Sequence, residues 1–193
     1  NQTLDSRLQI QANFTRVRHY PHGHPAFDGN LWGIAGVYEY RPKNPIYGGI
    51  KFAWKEGNTH GSSGKRFLRY GDAQERLGYT FSWNHNKVES TLFSGFGFRY
   101  MGQKFTPNNG SSLSFYYKEF YVPVGMLVDV HDTCGFDWGV YLIWMPQIYP
   151  TVRIVPLNGA NWTLKKTLGN WSVAVPFTYT FRTNRRFQLI FEP

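Results

Sequence analysis

From about Leu8 onward this chain alternates apolar side chains with small or polar ones, in segments of about ten residues that end in Trp or Tyr. Residues 32–40 read Trp-Gly-Ile-Ala-Gly-Val-Tyr-Glu-Tyr. Residues 171–181 read Trp-Ser-Val-Ala-Val-Pro-Phe-Thr-Tyr-Thr-Phe. A period of two is the period of a β-strand, whose successive side chains point to opposite faces. Here one face is aliphatic and aromatic, and the other carries Gly, Ala, Ser, Thr and occasional charges. A greasy outside with a polar inside is the pattern of a transmembrane β-barrel. The pattern also fixes the solvent, because in hydrocarbon every backbone N–H and C=O must be paired internally and strands cross only as a closed sheet.

Composition agrees with that fold class. The 193 residues suit one domain, spanning 1–193. Hydrophobic residues make up 41% of the chain and the mean hydropathy is −0.44, so nothing resembles a bundle of membrane helices. No apolar run approaches the roughly 20 residues that a spanning helix needs. A barrel escapes such a scan because only alternate residues face lipid. Aromatic residues, at 19%, fall mainly at strand ends rather than in one core. No signal peptide is visible, and Asn1 suits the start of a mature chain. Cys134 is the single cysteine, so an internal disulfide is excluded; it reads as a spare thiol in a turn, or as one half of an intermolecular bridge.

The formal charge of +9 implies an anionic partner: lipopolysaccharide phosphates, an anionic host surface or acidic solutes. Nucleic acid fits poorly. The Lys and Arg residues are scattered over loops and alternating positions, with no recognition helix and no zinc-finger or single-strand-binding signature.

Strands are predicted over 8–20, 31–41, 46–56, 68–83, 88–101, 113–130, 138–145 and 170–182, with a last one over 186–191. Connections after the even-numbered strands are short, as at Pro42-Lys43-Asn44-Pro45 and Asn84-His85-Asn86-Lys87. Those after the odd-numbered strands are long and rich in Gly, Pro, Asn and Ser: 21–30, 57–65, 102–112 and 146–169, the last with a local strand over 151–155. Outer-membrane barrels show this asymmetry, with short periplasmic turns and long extracellular loops. Placing the short turns inside puts Trp32, Trp54, Tyr100, Trp144 and Trp171 near the outer rim. Tyr38, Tyr40, Tyr79, Trp83, Trp138 and Phe181 then fall near the inner rim. Two aromatic girdles thus emerge from an assignment made on loop length alone.

Four motifs carry a resemblance: Gly36-Val37-Tyr38-Glu39-Tyr40-Arg41-Pro42, Leu77-Gly78-Tyr79-Thr80-Phe81, Phe120-Tyr121-Val122-Pro123-Val124-Gly125 and Trp144-Met145-Pro146-Gln147-Ile148-Tyr149-Pro150. They resemble a family of outer-membrane β-barrel proteins from environmental chlamydia-like and related Gram-negative bacteria. The resemblance spans most of the chain and brings no catalytic residues. It implies an outer-membrane location, lipid and lipopolysaccharide as neighbours, and a chain that continues past Pro193. The strand count points the same way. About nine strands are visible, and single-chain bacterial barrels use an even number. The expectation is an antiparallel up-and-down barrel whose closing C-terminal strand is missing, about ten strands when complete.

Charges predicted to face the lumen are Glu39, Lys51, Asp72, Arg76, Arg99, Glu119, Asp129, Arg182 and Glu192. In a narrow barrel they must pair, because lone buried ions are costly. An ion-pair lattice that plugs the lumen is favoured over a polar path for small solutes, since small barrels fill their interiors with side chains. Arg76 and Arg99 are expected to be held by Glu39, Glu119, Asp72 or Asp129. Arg16, Arg18 and Lys118 fall outward at the outer rim, where lipid phosphates or water would meet them.

Enzyme parts are sparse. His131-Asp132 lies in a predicted inner turn, His60 stands near Ser62 and Ser63 in a loop, and His22 or His24 with Asp28 would form a surface pair. The His19, His22 and His24 cluster lacks any Cys or helical spacing that would support a metal site. No cofactor is implied. The rival readings are a barrel hydrolase acting on lipid A or peptides, and a soluble β-barrel or jelly roll whose hydrophobic residues converge inward.

Overall fold

A computed structural model describes residues 6–19, 26–41, 45–83, 87–131, 136–156, 161–163, 169–180 and 186–191. They form twelve antiparallel strand segments in one sheet. The first five are β1 (Ser6–His19), β2 (Phe27–Tyr40), β3 (Ile46–Gly61), β4 (Gly64–Trp83) and β5 (Val88–Pro107). Then follow β6 (Leu113–Tyr121), β7 (Val124–His131), β8 (Phe136–Met145) and β9 (Thr151–Val155). The last are β10 (Asn161–Thr163), β11 (Asn170–Thr180) and β12 (Arg186–Phe191). Neighbours along the chain are neighbours in the sheet, so the topology is up-and-down.

Two of the breaks are local interruptions rather than turns. β6 and β7 both pair with β5, and the register runs on unchanged, from Gly97 opposite Tyr121 to Ser94 opposite Val124. Pro123 lacks an N–H, so the ladder lapses there without a change of direction. β8 and β9 are likewise one strand with a bulge. Tyr121 bridges Gln147 while Lys118 pairs with Thr151, so one extra residue sits on the β9 side, next to Pro150. The amide of Ile148 donates to the Phe120 carbonyl at 2.8 Å and keeps the strands joined across it. The bulge moves the inward positions from odd residues, such as Ile143, to even ones, such as Val152, which is what a one-residue slip must do.

The strands run further than the sequence predicts. The segments read as loops over 57–65 and 102–112 are mostly ladder. Gly57 pairs with Leu68 and Thr59 with Arg66, leaving Ser62 and Ser63 as the tip before Gly64, whose φ is 148°. β5 continues to Pro107. Phe27 to Asn30, also read as loop, pair with β1. The connection over 146–169 contains β9 paired with β10. The local strand expected over 151–155 is thus present as β9, and the extensions of β2, β3, β4 and β5 are corrections with one cause. Gly and Ser weaken a strand only locally, whereas pairing to a long partner strand satisfies their backbone groups.

The sheet curls. Arg41, at the end of β2, places Nη1 2.6 Å from Asp129 Oδ2 on β7, several strands away. Among the described residues its two ends do not meet: β1 pairs with β2 alone and β12 with β11 alone. Polarity is inverted across the sheet. Leu77 is 70% exposed and Trp32 66%, while Glu39 and Arg76 are each 8% exposed. Among the described residues no helix is long and apolar enough to cross a membrane.

Candidate functional site

The concave face carries the chemistry. Alternation on β2 to β5 delivers one side chain in two to that face, so residues distant in sequence converge there. Two hydrogen-bonded networks result, separated by an apolar cluster.

The first network lies near the inner end. Arg41 reaches Asp129 at 2.6 Å and Glu39 at 3.6 Å. Tyr47 Oη donates to Glu39 at 2.9 Å, and Tyr141 Oη donates to Asp129 at 2.7 Å. Each carboxylate therefore has both a cation and a phenol, which meets the desolvation cost of burying it. The Arg41 guanidinium also lies 5.5 Å from the Tyr47 ring centroid.

The second network is centred on Arg99 of β5. Its Nη1 lies 2.7 Å from Glu119 and its Nε 3.5 Å from Asp72. Tyr121 Oη donates to Asp72 at 2.8 Å, and Gln147 Nε2 donates to Glu119 at 2.6 Å. Gln147 belongs to the bulged stretch between β8 and β9, so this network pins the interruption of the strand. Gly97 makes room for it, because an added Cβ there would collide with the Tyr121 ring.

Between the networks Tyr47, Phe93, Leu127 and Ile143 form a buried cluster, with Tyr141 and Met145 packed against it. Tyr47 and Leu127 are 0% exposed. The sequence reading missed this apolar plug, although alternation places Phe93, Leu127 and Ile143 inward.

Six of the predicted inward charges lie in or beside this arrangement: Glu39, Asp72, Arg76, Arg99, Glu119 and Asp129. Arg76 is a correction in its partner. Its Nε and Nη2 donate to the Gln74 amide oxygen at 2.9 and 2.6 Å, and its guanidinium lies 4.9 Å from the Phe93 centroid. No carboxylate bonds it among the described residues. Lys51 sits opposite Gln74, with no acid partner among the described residues. Arg182 and Glu192 lie outside the described residues.

At the outer rim Arg16 is outward and exposed. It makes a bidentate contact to Asp28, at 3.2 and 2.8 Å. Both groups are exposed, and the Arg16 guanidinium holds the Asp28 carboxyl below its usual range. Lys118 is exposed, and Arg18 is exposed with a partner of its own. The predicted girdle residues Trp32, Trp54, Trp144 and Trp171 are outward and exposed, and Tyr100 stacks on Trp54 at 6.5 Å. At the other end Tyr38, Tyr40, Tyr79, Trp83 and Trp138 are exposed too.

His131 ends β7, one position beyond the level of Trp138. Glu89 at 3.9 Å and Asp137 at 3.2 Å push its pKa up to about 9. Glu89 is too distant for a hydrogen bond and acts as a nearby charge. The predicted partner Asp132 lies outside the described residues, as do His22, His24, Cys134 and Phe181. Asp28 itself accepts from Arg16. No group of metal ligands is present among the described residues. No family model, curated protein or solved structure matches the chain.

Proposed function

We propose that this chain is the wall of a bacterial outer-membrane β-barrel whose lumen is closed by its own side chains. Its role is structural or surface-interacting, with at most weak passage of small solutes. One observation carries the reading: β2 exposes Trp32 and Ile34 while burying Glu39, and β4 exposes Leu77 and Tyr79 while burying Gln74 and Arg76. In water that arrangement wastes apolar burial and desolvates charge; in a bilayer both terms change sign. The exposed aromatics at both strand ends suit the two interfaces. The long outer hairpins turn charged outward, as Glu56 with Arg69 shows, which suits strands that have left the hydrocarbon.

Closure belongs to the same proposal. β1 has one unpaired edge, and unpaired backbone groups in hydrocarbon are prohibitive, so a further strand would complete the barrel. Kinship with the barrels of chlamydia-like bacteria rests on the four motifs alone. A hydrolase has less support, because the side-chain partners of His131 among the described residues are carboxylates and no nucleophile joins them.

The test is whether the purified protein needs detergent or lipid to stay in solution and migrates faster on a gel unheated than boiled. A protein that is monodisperse in plain buffer contradicts the reading.

A further inference from the structure

The two ends of the concave face differ. The inner end is sealed by Tyr47 and Leu127, both 0% exposed. From Arg99 toward the outer rim the same face is open. Met101 points inward by its register with Tyr70 and Tyr117, yet it is 39% exposed. Leu68, Phe105 and Phe115 face the same way and are half-buried. Above the level of Arg99 the described inward positions carry two charges, Lys55 and Arg66, and no acid.

Arg66 is set to receive an anion. Alternation puts it on the concave face, opposite Thr59 on β3 and Phe105 on β5. Its guanidinium lies 3.9 Å from the Phe27 ring centroid and 5.5 Å from that of Phe105. The two rings meet edge-on at 5.9 Å, and Phe27 is fully buried, so the guanidinium has a fixed aromatic backing. Among the described residues no hydrogen bond or ion pair reaches it. Its Nε is buried without an acceptor, while the two Nη groups stay open. A guanidinium held on a ring with both Nη groups free presents the fork that pairs with a carboxylate.

Lys55 is placed differently. Its Nζ lies 5.1 Å from the Tyr70 ring centroid, and the next inward row below it holds Asp72, opposite Ala53. Asp72 is about 20 Å of strand away from Arg66 but only about 7 Å from the Lys55 row, so it repels an anion at Lys55 far more. The two cations stand about 13 Å apart along the strands, too far to share one head group. One cation matches one negative charge, which favours a carboxylate over a phosphate dianion.

We infer that the outer half of the concave face binds a monocarboxylate with an apolar body, a medium-chain or aromatic acid. Its head sits on the Arg66 fork and its body lies against Leu68, Phe105 and Phe115, burying apolar surface on both sides. The sealed inner end makes this a binding chamber rather than a path. The inference rests on the barrel reading for the wall that encloses the ligand, and the experiment separates the two.

The full chain in lipid nanodiscs is titrated with hexanoate by isothermal calorimetry, with empty nanodiscs as the blank. Heat-modifiable migration reports whether each variant is folded. Hexanoate binds at one site per chain. Acetate and hexanol each bind about tenfold more weakly or worse, the first for want of apolar contact and the second for want of charge. Arg66→Gln loses about tenfold or more, Arg66→Lys loses less, and Lys55→Gln stays within about threefold of wild type. A folded wild type that does not bind hexanoate overturns the inference and leaves the membrane reading standing. So does an Arg66→Gln variant that binds as wild type does, or inorganic phosphate binding as tightly as hexanoate. Hexanoate binding by a protein that stays monodisperse in plain buffer supports the site and overturns the membrane reading.

Discussion

Along β4 the outward side chains Leu77, Tyr79, Phe81 and Trp83 are exposed, while the inward positions Gln74 and Arg76, just before them on the strand, are buried. β7 and β8 repeat the contrast, with Met126 and Leu142 outward and exposed and Leu127 and Ile143 inward and buried. The two faces obey different rules. Inward positions are held by specific partners: phenols and guanidinium groups on carboxylates, and Phe93 under Arg76. Outward positions touch mainly each other, as in Phe14 against Trp32 and Trp144 against Trp171. An inward substitution therefore breaks a named contact, whereas an outward one changes only how the surface meets its solvent.

The largest effect is expected on the inner face. Glu119→Ala strips Arg99 of its 2.7 Å partner and frees Gln147, leaving a mostly buried cation with Asp72 alone. Removing one member of a buried pair costs about 3–5 kcal/mol. Urea unfolding in lipid vesicles should show that loss, with little change in planar-bilayer conductance. A large change in ion selectivity without a loss of stability would mean a wet lumen rather than a plug.

Next comes the outer face. Met126→Arg lies mid-strand opposite Leu92 and Leu142. At the centre of a bilayer the change costs about 2–4 kcal/mol. At an exposed position of a soluble protein the same change would fall within about 0.5 kcal/mol. Unfolding free energies of this variant in vesicles thus sharpen the contrast between the faces, and a neutral result breaks it.

The smallest effect belongs to the inner rim. His131 has its pKa pushed up to about 9 in the fold, against about 6.5 when unfolded. A raised folded value adds stability below about pH 6.5, and that stability is lost as pH rises through about 9. The imidazole is 43% exposed, so screening keeps the contribution below about 1 kcal/mol. The urea midpoint should fall slightly between pH 6.5 and pH 10, and His131→Gln should flatten that part of the profile. An unchanged slope in the variant would remove His131 from the account.

The contrast between the faces was legible in the sequence because it needs only a period of two. Ile50, Phe52 and Trp54 alternate with Lys51 and Ala53, and the ladder puts them where alternation says. The last strand, 186–191, also stands where the pattern placed it. Strand length was less legible. Gly57 and Gly61 look like loop residues in isolation, and only the partner strand keeps them in the ladder. The bulge near Pro150 and the Gln74 partner of Arg76 depend on non-local packing that periodicity does not encode.

Accessibility of the two faces is the most direct measure of the central claim. Cys134 is replaced by Ser, and single spin labels are placed at Val124, Met126, Val173 and Phe177, and at Lys51 and Ala174. In vesicles the first set should be relaxed by lipid-dissolved oxygen and shielded from a water-soluble nickel chelate. Lys51 and Ala174 should show little relaxation by oxygen. The opposite pattern, or chelate access at Val124 and Met126, would mean that the exposed face meets water and that the inside-out reading is wrong.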